Sequence, residues 1–183
     1  MTSSRAIEAD DDLMMRFKGG DPAAFEVLYD RYESQLFALC VRLLGSRSEA
    51  EDALQEAFAK VVDRRDSFEP HGNFRSWIFT IVRFTCMDRL RVVKTEQQFL
   101  QRMDAWDRAE PPESEVLART DVNRLLMLLP VEQREVLVLH RLHGFSQAEI
   151  AAMLGTTEAS VRQKSYRALR ALRTWVAATE ERE

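Results

Sequence analysis

Cysteine is scarce in this sequence, and long apolar runs are missing. Cys40 and Cys86 are the two cysteines among 183 residues, and both lie in apolar helical patterns without the spacing of a metal site. We expect reduced, buried thiols, as in cytoplasmic proteins, with a disulfide between them as the alternative. The N-terminus lacks the apolar segment of a signal peptide, and no run approaches the length of a membrane span. The sequence therefore predicts a cytoplasmic protein without membrane insertion.

Net positive charge is also missing. The formal net charge of −4 argues against a uniformly basic protein that coats DNA. The charge is nevertheless unevenly distributed. Residues 158–173 contain five basic side chains and one acidic side chain, whereas residues 95–121 contain three basic and seven acidic ones. A local basic surface is therefore available for an anionic partner.

The motifs of common catalytic sites are absent as well. No glycine-rich nucleotide-binding motif occurs, and no nucleophile lies in a pattern with its base. Asp52 and Glu56 form a carboxylate pair on one helix without a convergent histidine. His140 and His143 follow Glu135, but a zinc site needs further ligands, and His143 is explained as a cation near a helix C-terminus. We predict no catalytic residue, no metal and no cofactor; a small helical hydrolase using these side chains is the disfavoured alternative.

Apolar residues recur at helical spacing along most of the chain, and no strand pattern is present. Asp21 and Pro22 predict the start of a long helix that Gly45 ends. Ser48 and Glu51 predict a capping box at the start of the next helix. The predicted helices span residues 12–18, 22–44, 48–65, 74–93, 115–129 and 130–143, and a helix-turn-helix follows them.

Residues 95–114 lose this periodicity, gain acidic side chains and contain Pro111-Pro112, which is typical of a linker. A transient helix over residues 99–106 is compatible with that interpretation. The sequence therefore predicts an all-α fold of two small helical domains joined by a flexible acidic linker. Residues 1–94 form a bundle of three to four helices, residues 95–114 form the linker, and residues 115–183 contain the helix-turn-helix.

The segment 145–173 has the signals of a helix-turn-helix. Ser146 and Glu149 form a capping box, Gly155 ends the first helix, and Thr157 caps the second. One face of the second helix is apolar. The opposite face carries Ser160, Arg162, Gln163, Tyr166, Arg167, Arg170 and Arg173, with Lys164 at its edge. Arginine pairs with guanine or phosphate and glutamine reads adenine, so this face suits a DNA major groove; the alternative is a solvated basic surface.

Two earlier predicted helices carry polar or charged residues next to apolar or aromatic ones. In the predicted helix 48–65, Asp52, Gln55, Glu56 and Ala59 adjoin an apolar stripe, and the pattern alone favours a solvated acidic face. In the predicted helix 74–93, basic residues are interleaved with aromatic ones. This pattern suits single-stranded nucleic acid, because cations hold the backbone while bases stack on rings. Part of that helix must nevertheless belong to the core, since its many apolar residues cannot all face solvent.

Three segments occur in the order and spacing of the extracytoplasmic-function sigma factors, the smallest bacterial sigma factors of the sigma-70 family. They are AEDALQEAF, NFRSWIFTIVRFTCMDRLR and LPVEQREVLVLHRLHGFSQAEIAAMLG. The resemblance covers residues 21–173, and three agreeing motifs are more specific than any one. It implies a non-enzymatic subunit that binds core RNA polymerase and directs promoter recognition and transcription initiation. The alternative is a helix-turn-helix regulator that acts without polymerase.

The resemblance also implies roles for each part of the chain. The first domain resembles sigma region 2, whose AEDALQEAF helix would dock on the clamp helices of the largest polymerase subunits. The predicted helix 74–93 and the loop before it would melt and read the −10 promoter element. The second domain resembles region 4 and would read the −35 element, while the linker would thread toward the active-site and RNA-exit channel. An anti-sigma factor is a further implied partner.

Residue by residue, the resemblance implies three sets of contacts. The implied core-binding residues are Asp52, Gln55, Glu56 and Phe58. The implied −10 residues are Asn73, Arg75, Arg83, Arg89 and Arg91. The implied −35 residues are Ser160, Arg162, Gln163, Lys164, Tyr166 and Arg167.

Two positions depart from the family pattern. Phe84 stands where the family usually has asparagine, so base recognition does not carry over to that position directly. The family usually has threonine-valine-lysine-serine-arginine-leucine in the recognition helix, where this chain has SVRQKS. Ser165 thus occupies a position that is usually apolar, which predicts looser packing or an altered −35 preference.

Overall fold

The computed structural model describes residues 8–69, 72–103 and 121–180. Over these ranges the chain is helical and contains no strand, which confirms the all-α fold class. The helices are α1 (Asp10–Lys18), α2 (Pro22–Leu44), α3 (Arg47–Asp63), α4 (Phe74–Met103), α5 (Asp121–Met127), α6 (Val131–Leu137), α7 (Gln147–Leu154) and α8 (Glu158–Glu180). A 3-10 turn spans Arg65–Ser67, and a π turn spans Val138–Leu142. None of the helices in the described ranges has the length and hydropathy to cross a membrane.

Helices α1 to α4 form the N-terminal bundle, and local signals define α2 as predicted. The Asp21 carboxylate accepts a hydrogen bond from the Ala23 amide, and Pro22 occupies the first helical turn. Gly45 ends α2 with a φ of 77°, a left-handed conformation that glycine adopts without a Cβ clash. These two ends fix the length of α2.

The predicted capping box at the start of α3 is wrong in register. Ser46, not Ser48, is the N-cap, and its hydroxyl accepts from the Glu49 amide. The Ser48 hydroxyl instead contacts the Ser46 hydroxyl at 3.1 Å. Both serines precede a glutamate by three residues, so the same pattern fits two starts. Helix α3 therefore begins at Arg47.

The core of the N-terminal bundle consists of apolar side chains from all four helices. Alanines on α3 at positions 50, 53 and 57 are fully buried and let α3 pack closely on α2. Cys40 on α2 and Cys86 on α4 are buried free thiols, so the disulfide alternative is not realised. Phe68 and Phe74 pack edge to face at 6.1 Å and fasten the loop before α4 to the bundle.

Helix α4 is longer than predicted. It continues through Met103, beyond the expected end of the domain at residue 94 and into the segment predicted as linker. Charged and polar residues after residue 94 weaken the apolar periodicity without breaking the helix, since neither glycine nor proline occurs there. The rest of the predicted linker, with its two prolines, and the first part of the predicted helix 115–129 lie outside the described residues.

Helices α5 to α8 form the C-terminal domain. The predicted helix 130–143 begins at Val131, but its last turn widens into the π turn, where the His143 amide donates to the Val138 carbonyl at 3.2 Å. Gly144 follows with a φ of 72°, and the Phe145 amide donates to the Leu139 carbonyl. The wider turn brings the Phe145 ring, which is buried, against the Phe79 ring of α4.

The helix-turn-helix agrees with its sequence signals. Ser146 and Glu149 form both hydrogen bonds of the capping box at the start of α7. Gly155 ends α7 with a φ of 59°, and the Thr157 hydroxyl accepts from the Ser160 amide at the start of α8. Val161 and Ala168 are buried on the inner side of α8. The capped turn thus holds α8 with its opposite side toward solvent.

Candidate nucleic-acid interface

The outer side of α8 carries the predicted −35 residues, which we call the α8 face: Ser160, Arg162, Gln163, Lys164, Tyr166 and Arg167. Arg162, Gln163 and Arg167 are exposed, and Tyr166 retains 65% of its accessible surface. Arg162 donates to the Gln147 side chain at 3.2 Å, which links the α8 face to α7. Most of this basic surface is therefore accessible to a nucleic acid.

Two residues of α8, Lys164 and Ser165, are less accessible to a nucleic acid than the sequence pattern suggested. Lys164 pairs with Glu132 of α6 at 2.8 Å and lies at the edge of the α8 face, as predicted. The Lys164 ammonium lowers the pKa of the Glu132 carboxyl. Ser165 is buried, at a position where the family usually has an apolar residue. The hydroxyl therefore sits against the domain core, away from the α8 face.

The predicted core-binding residues divide between surface and core. Asp52 and Gln55 are exposed on α3, whereas the Phe58 ring is buried and packs on the Tyr29 ring at 4.5 Å. Phe58 and Gln55 also line a groove of about 450 Å³ between α2 and α3. The edge of Phe58 reaches this groove, so the ring serves both the bundle core and the surface.

Arg89, a predicted −10 residue, lies on the acidic side of α3. Its guanidinium donates to Glu56 and Glu49 at 3.1 Å, and Asp52 lies 3.8 Å away. Lys60 also pairs with Glu56 at 2.7 Å. The hydrogen bond from Lys60, followed by the one from Arg89, lowers the pKa of Glu56. Arg89 thus joins the predicted −10 and core-binding sets in one ionic network.

Arg75 and Arg83 of α4 contact the C-terminal domain. Arg75 donates a short hydrogen bond to the His143 carbonyl, and its guanidinium lies 4.0 Å from the Phe145 ring centroid. Arg83 forms a short ion pair with Glu135 of α6, whose side chain is 4% exposed. Burial raises the pKa of Glu135, and the Arg83 guanidinium opposes that shift. These two predicted −10 residues are therefore engaged by the neighbouring domain.

The remaining predicted −10 residues have local roles. The Asn73 side chain accepts from the Ser76 amide at 3.0 Å and so caps α4. Arg91 is exposed and pairs with Asp88 one turn away at 2.8 Å. The structure therefore does not gather the five residues into one cluster; it distributes them along α4 and its start.

Sequence reasoning missed the surface around Phe84. This residue is 45% exposed and lies in a groove of about 670 Å³ between α4 and α7, which we call the α4–α7 groove. Trp77 lines the same groove but is anchored against Phe68 at 5.5 Å. The spacing of positions 77, 80 and 84 along one helix face was the available signal.

The histidines have structural surroundings. His143 packs on Phe79 at 5.0 Å, and burial, assisted by Arg42 and Arg75, lowers the pKa of His143 to about 4. The predicted cation at this helix end is therefore wrong: desolvation outweighs the helix dipole, and the imidazole is neutral. His140 bonds to the Phe145 carbonyl at 2.8 Å. No group of three potential metal ligands occurs in the described part of the chain.

Known proteins share both domains. The family described as Sigma-70 region 2 matches residues 28–95, and the family described as Sigma-70, region 4 matches residues 119–172. The ECF RNA polymerase sigma factor SigM of Mycobacterium tuberculosis is 34% identical over 160 residues, which cover 87% of this chain and 81% of SigM.

Solved structures have the same fold. CnrH, in complex with the cytosolic domain of CnrY, superposes with a TM-score of 0.72 and 26% identity over 93% of this chain and 99% of CnrH. The sigma factor RpoE, in complex with the anti-sigma factor NepR from Bartonella quintana, gives a TM-score of 0.69 and 25% identity over 84% of this chain and 96% of RpoE. With two family matches and such relatives, the chain belongs to the extracytoplasmic-function sigma factors of the sigma-70 family, non-enzymatic subunits that direct RNA polymerase to promoters and initiate transcription.

Proposed function

We propose that region 4 of this sigma factor reads the −35 element through the α8 face. The exposed arginines, glutamine and tyrosine of α8, held outward by the capped turn after α7, are the observation that carries this proposal. Arg162 and Arg167 would pair with base edges or phosphates, and Gln163 would read an adjacent base. Ser160 and Lys164 would contact the backbone at the edge of the site.

Region 2 would bind core polymerase through Asp52, Gln55, Glu56 and the exposed edge of Phe58. An acidic stripe beside the α2–α3 groove suits a helical partner that is basic and apolar. The clamp helices of the largest polymerase subunit are the docking site that the family resemblance implies. The linker would then pass toward the active-site and RNA-exit channel, and both promoter-reading domains would be held at a fixed separation.

The −10 element would be opened and held by α4. Asn73, Arg75, Arg83, Arg89 and Arg91 are the candidate contacts, with the arginines neutralising phosphates. Extruding a base costs a few kcal/mol, which captured bases and polymerase contacts must offset. Arg75, Arg83 and Arg89 would have to exchange their present carboxylate and carbonyl partners for DNA.

An anti-sigma factor is a further proposed partner, and the cytoplasm is the proposed site of action. The likeness to RpoE bound to the anti-sigma factor NepR supports such a partner. A regulator of this kind would act by occupying the surfaces that bind polymerase or DNA.

Reconstituted transcription tests the proposed function. Purified chain and core RNA polymerase are incubated with a promoter library, and the 5′ ends of the transcripts are mapped. We expect discrete start sites that share −10 and −35 sequences and that require the chain. Core polymerase without the chain is the control. Sequence-specific DNA binding by the chain alone, together with no selected start site, would instead support a polymerase-independent regulator.

A further inference from the structure

One aromatic ring on α4 remains nearly half exposed to solvent. Phe84 is 45% exposed at the α4–α7 groove, although neighbouring apolar residues on α4 are buried. Ser76, Trp77 and Thr80 line the same groove one and two turns earlier. One side of α4 therefore presents two rings and two hydroxyls in line.

The Trp77 and Phe84 rings differ in how firmly neighbouring aromatic rings hold them. Trp77 packs against Phe68 at 5.5 Å and Phe74 at 6.1 Å, which fixes its orientation. Phe84 instead has the Arg83 guanidinium over its ring, 4.8 Å from the centroid. The free ring is thus adjacent to a cation, and a flat, apolar surface beside a positive charge suits an unpaired base with its phosphate.

We propose that Phe84 is the stacking platform for one unpaired base of the −10 strand. The proposal rests on the assignment of α4 to −10 binding. The asparagine usual in the family offers an amide that can distinguish base edges, whereas a phenyl ring accepts the face of any base. We therefore expect weak sequence preference at this position, favouring purines because their larger rings stack more strongly.

Open-complex formation on a promoter selected with this holoenzyme tests the proposal. Phe84→Leu keeps an apolar side chain but removes the ring, and Phe84→Tyr keeps the ring. Val92→Ala is the matched control, since Val92 is 57% exposed on the same helix. We expect Phe84→Leu to reduce open complexes about 5- to 150-fold, with Phe84→Tyr and Val92→Ala close to the unsubstituted protein.

Templates with an abasic sugar at each −10 position of the non-template strand locate the stacked base. The effect of Phe84→Leu should disappear at one abasic position, because the base is already missing there. An unchanged Phe84→Leu protein, or a loss that persists at every abasic position, would overturn the proposal. If Arg75→Ala also left open-complex formation unchanged, the assignment of α4 to −10 binding would itself be wrong. Arg75→Ala therefore distinguishes a failure of that assignment from a failure of the Phe84 proposal alone.

A second observation concerns the contact between the two domains. The Arg83–Glu135 ion pair and the Arg75 hydrogen bond to the His143 carbonyl both join α4 to region 4. The Phe79 ring packs on Phe145 at 4.9 Å between these polar contacts. A guanidinium that is paired inside this interface is unavailable to a DNA phosphate.

A further contact between the two domains involves the end of α2. A Cβ on Gly45 would lie 2.6 Å from the Met127 sulfur, so α5 packs directly on the turn after α2. In the described residues, α4 therefore meets α6 and α7, and α2 meets α5 and α6. On α4, this arrangement occupies Arg75 and Arg83 with partners in region 4, so these two guanidinium groups cannot contact a DNA strand at the same time.

We infer that region 4 closes the −10 surface of region 2 in the free protein, and that polymerase binding must separate them. The Arg83–Glu135 pair is the main polar contact of this closed arrangement. Loss of this pair removes no apolar side chain from the buried cluster that runs through both regions. The expected consequence is that the free protein binds single-stranded −10 DNA poorly.

Binding of a single-stranded −10 oligonucleotide to the full chain, without polymerase, tests this inference. Glu135→Gln removes the charge that holds Arg83, and we expect about 10-fold tighter binding or more. Glu132→Gln is the matched control, because Glu132 lies on the same helix, is 75% exposed and pairs within region 4. Met127→Ala weakens the other contact without touching the ion pair and should act in the same direction. Equal affinities for the unsubstituted chain, Glu135→Gln and Met127→Ala would contradict the closed arrangement.

Discussion

The two DNA-reading surfaces of this chain differ in accessibility. On region 4, Arg162 and Arg167 of the α8 face are exposed, and Arg162 contacts the neutral Gln147 side chain. On region 2, Arg75 and Arg83 contact region 4, while Arg89 pairs with carboxylates of α3. Both helices are amphipathic and basic, so the difference arises from what lies opposite each of them. In the free chain, a basic helix face is directly accessible to DNA only where the tertiary structure leaves it without carboxylate partners.

The largest expected effect follows from reversing charge on the exposed surface. Arg167→Glu should weaken binding to a −35 duplex at least 100-fold, because it removes a base or phosphate contact and adds repulsion. Arg124→Glu, an exposed arginine on α5, is the control. Electrophoretic mobility of the duplex and pull-down of core polymerase measure the two activities. Equal loss of DNA and polymerase binding would refute a role confined to the −35 element.

A second charge reversal tests the acidic surface of region 2. Asp52→Lys should reduce affinity for core polymerase roughly 10- to 100-fold, since it places like charge against a basic partner. Asp63→Lys, at the exposed end of the same helix, should have little effect. Titration of labelled chain with core polymerase gives both affinities. If Asp63→Lys proves as damaging as Asp52→Lys, docking is not specific to the stripe.

Acidification should destabilise the folded chain through His143, which packs on Phe79 of α4. The ordinary pKa of histidine is about 6.5, whereas burial lowers the pKa of His143 to about 4, so unfolding takes up a proton between these pH values. The folded state therefore has the full contribution of His143 above pH 6.5 and loses roughly 2 kcal/mol of stability by pH 5. Denaturation of the unsubstituted chain and of His143→Gln across this range measures the difference. If both proteins showed the same pH dependence of stability, His143 would not be the group whose protonation destabilises the chain.

The smallest expected effect compares helix caps in the two domains. Ser146 completes a two-way capping box in region 4, whereas Ser46 makes one cap bond in region 2. Ser146→Ala and Ser46→Ala should each cost about 1 kcal/mol. Ser48→Ala should cost less, because Ser48 does not cap α3. Urea denaturation ranks the three variants, and a larger loss at Ser48 would restore the register predicted from sequence.

The features predicted correctly from sequence are those defined by neighbouring residues. Ser146, Glu149 and Gly155 specify the helix-turn-helix within ten positions, and Asp21 with Pro22 specifies the start of α2. At α3 the local rule fitted two serines equally, so only packing of the helix could choose between them.

The features that were missed depend on residues distant in sequence. The engagement of Arg83 requires Glu135, and the neutral state of His143 requires its burial against Phe79. The extension of α4 to Met103 also lies beyond local periodicity. Residue roles within the −10 surface therefore stay predictions until they are measured.

The distance between region 2 and region 4 tests the closed −10 surface most directly. Spin labels at Asp30→Cys and Ala177→Cys, both exposed positions, report it, since Cys40 and Cys86 are buried. We predict one narrow distance distribution in the free chain and a longer distance after core polymerase is added. The same distribution before and after polymerase binding would contradict the account.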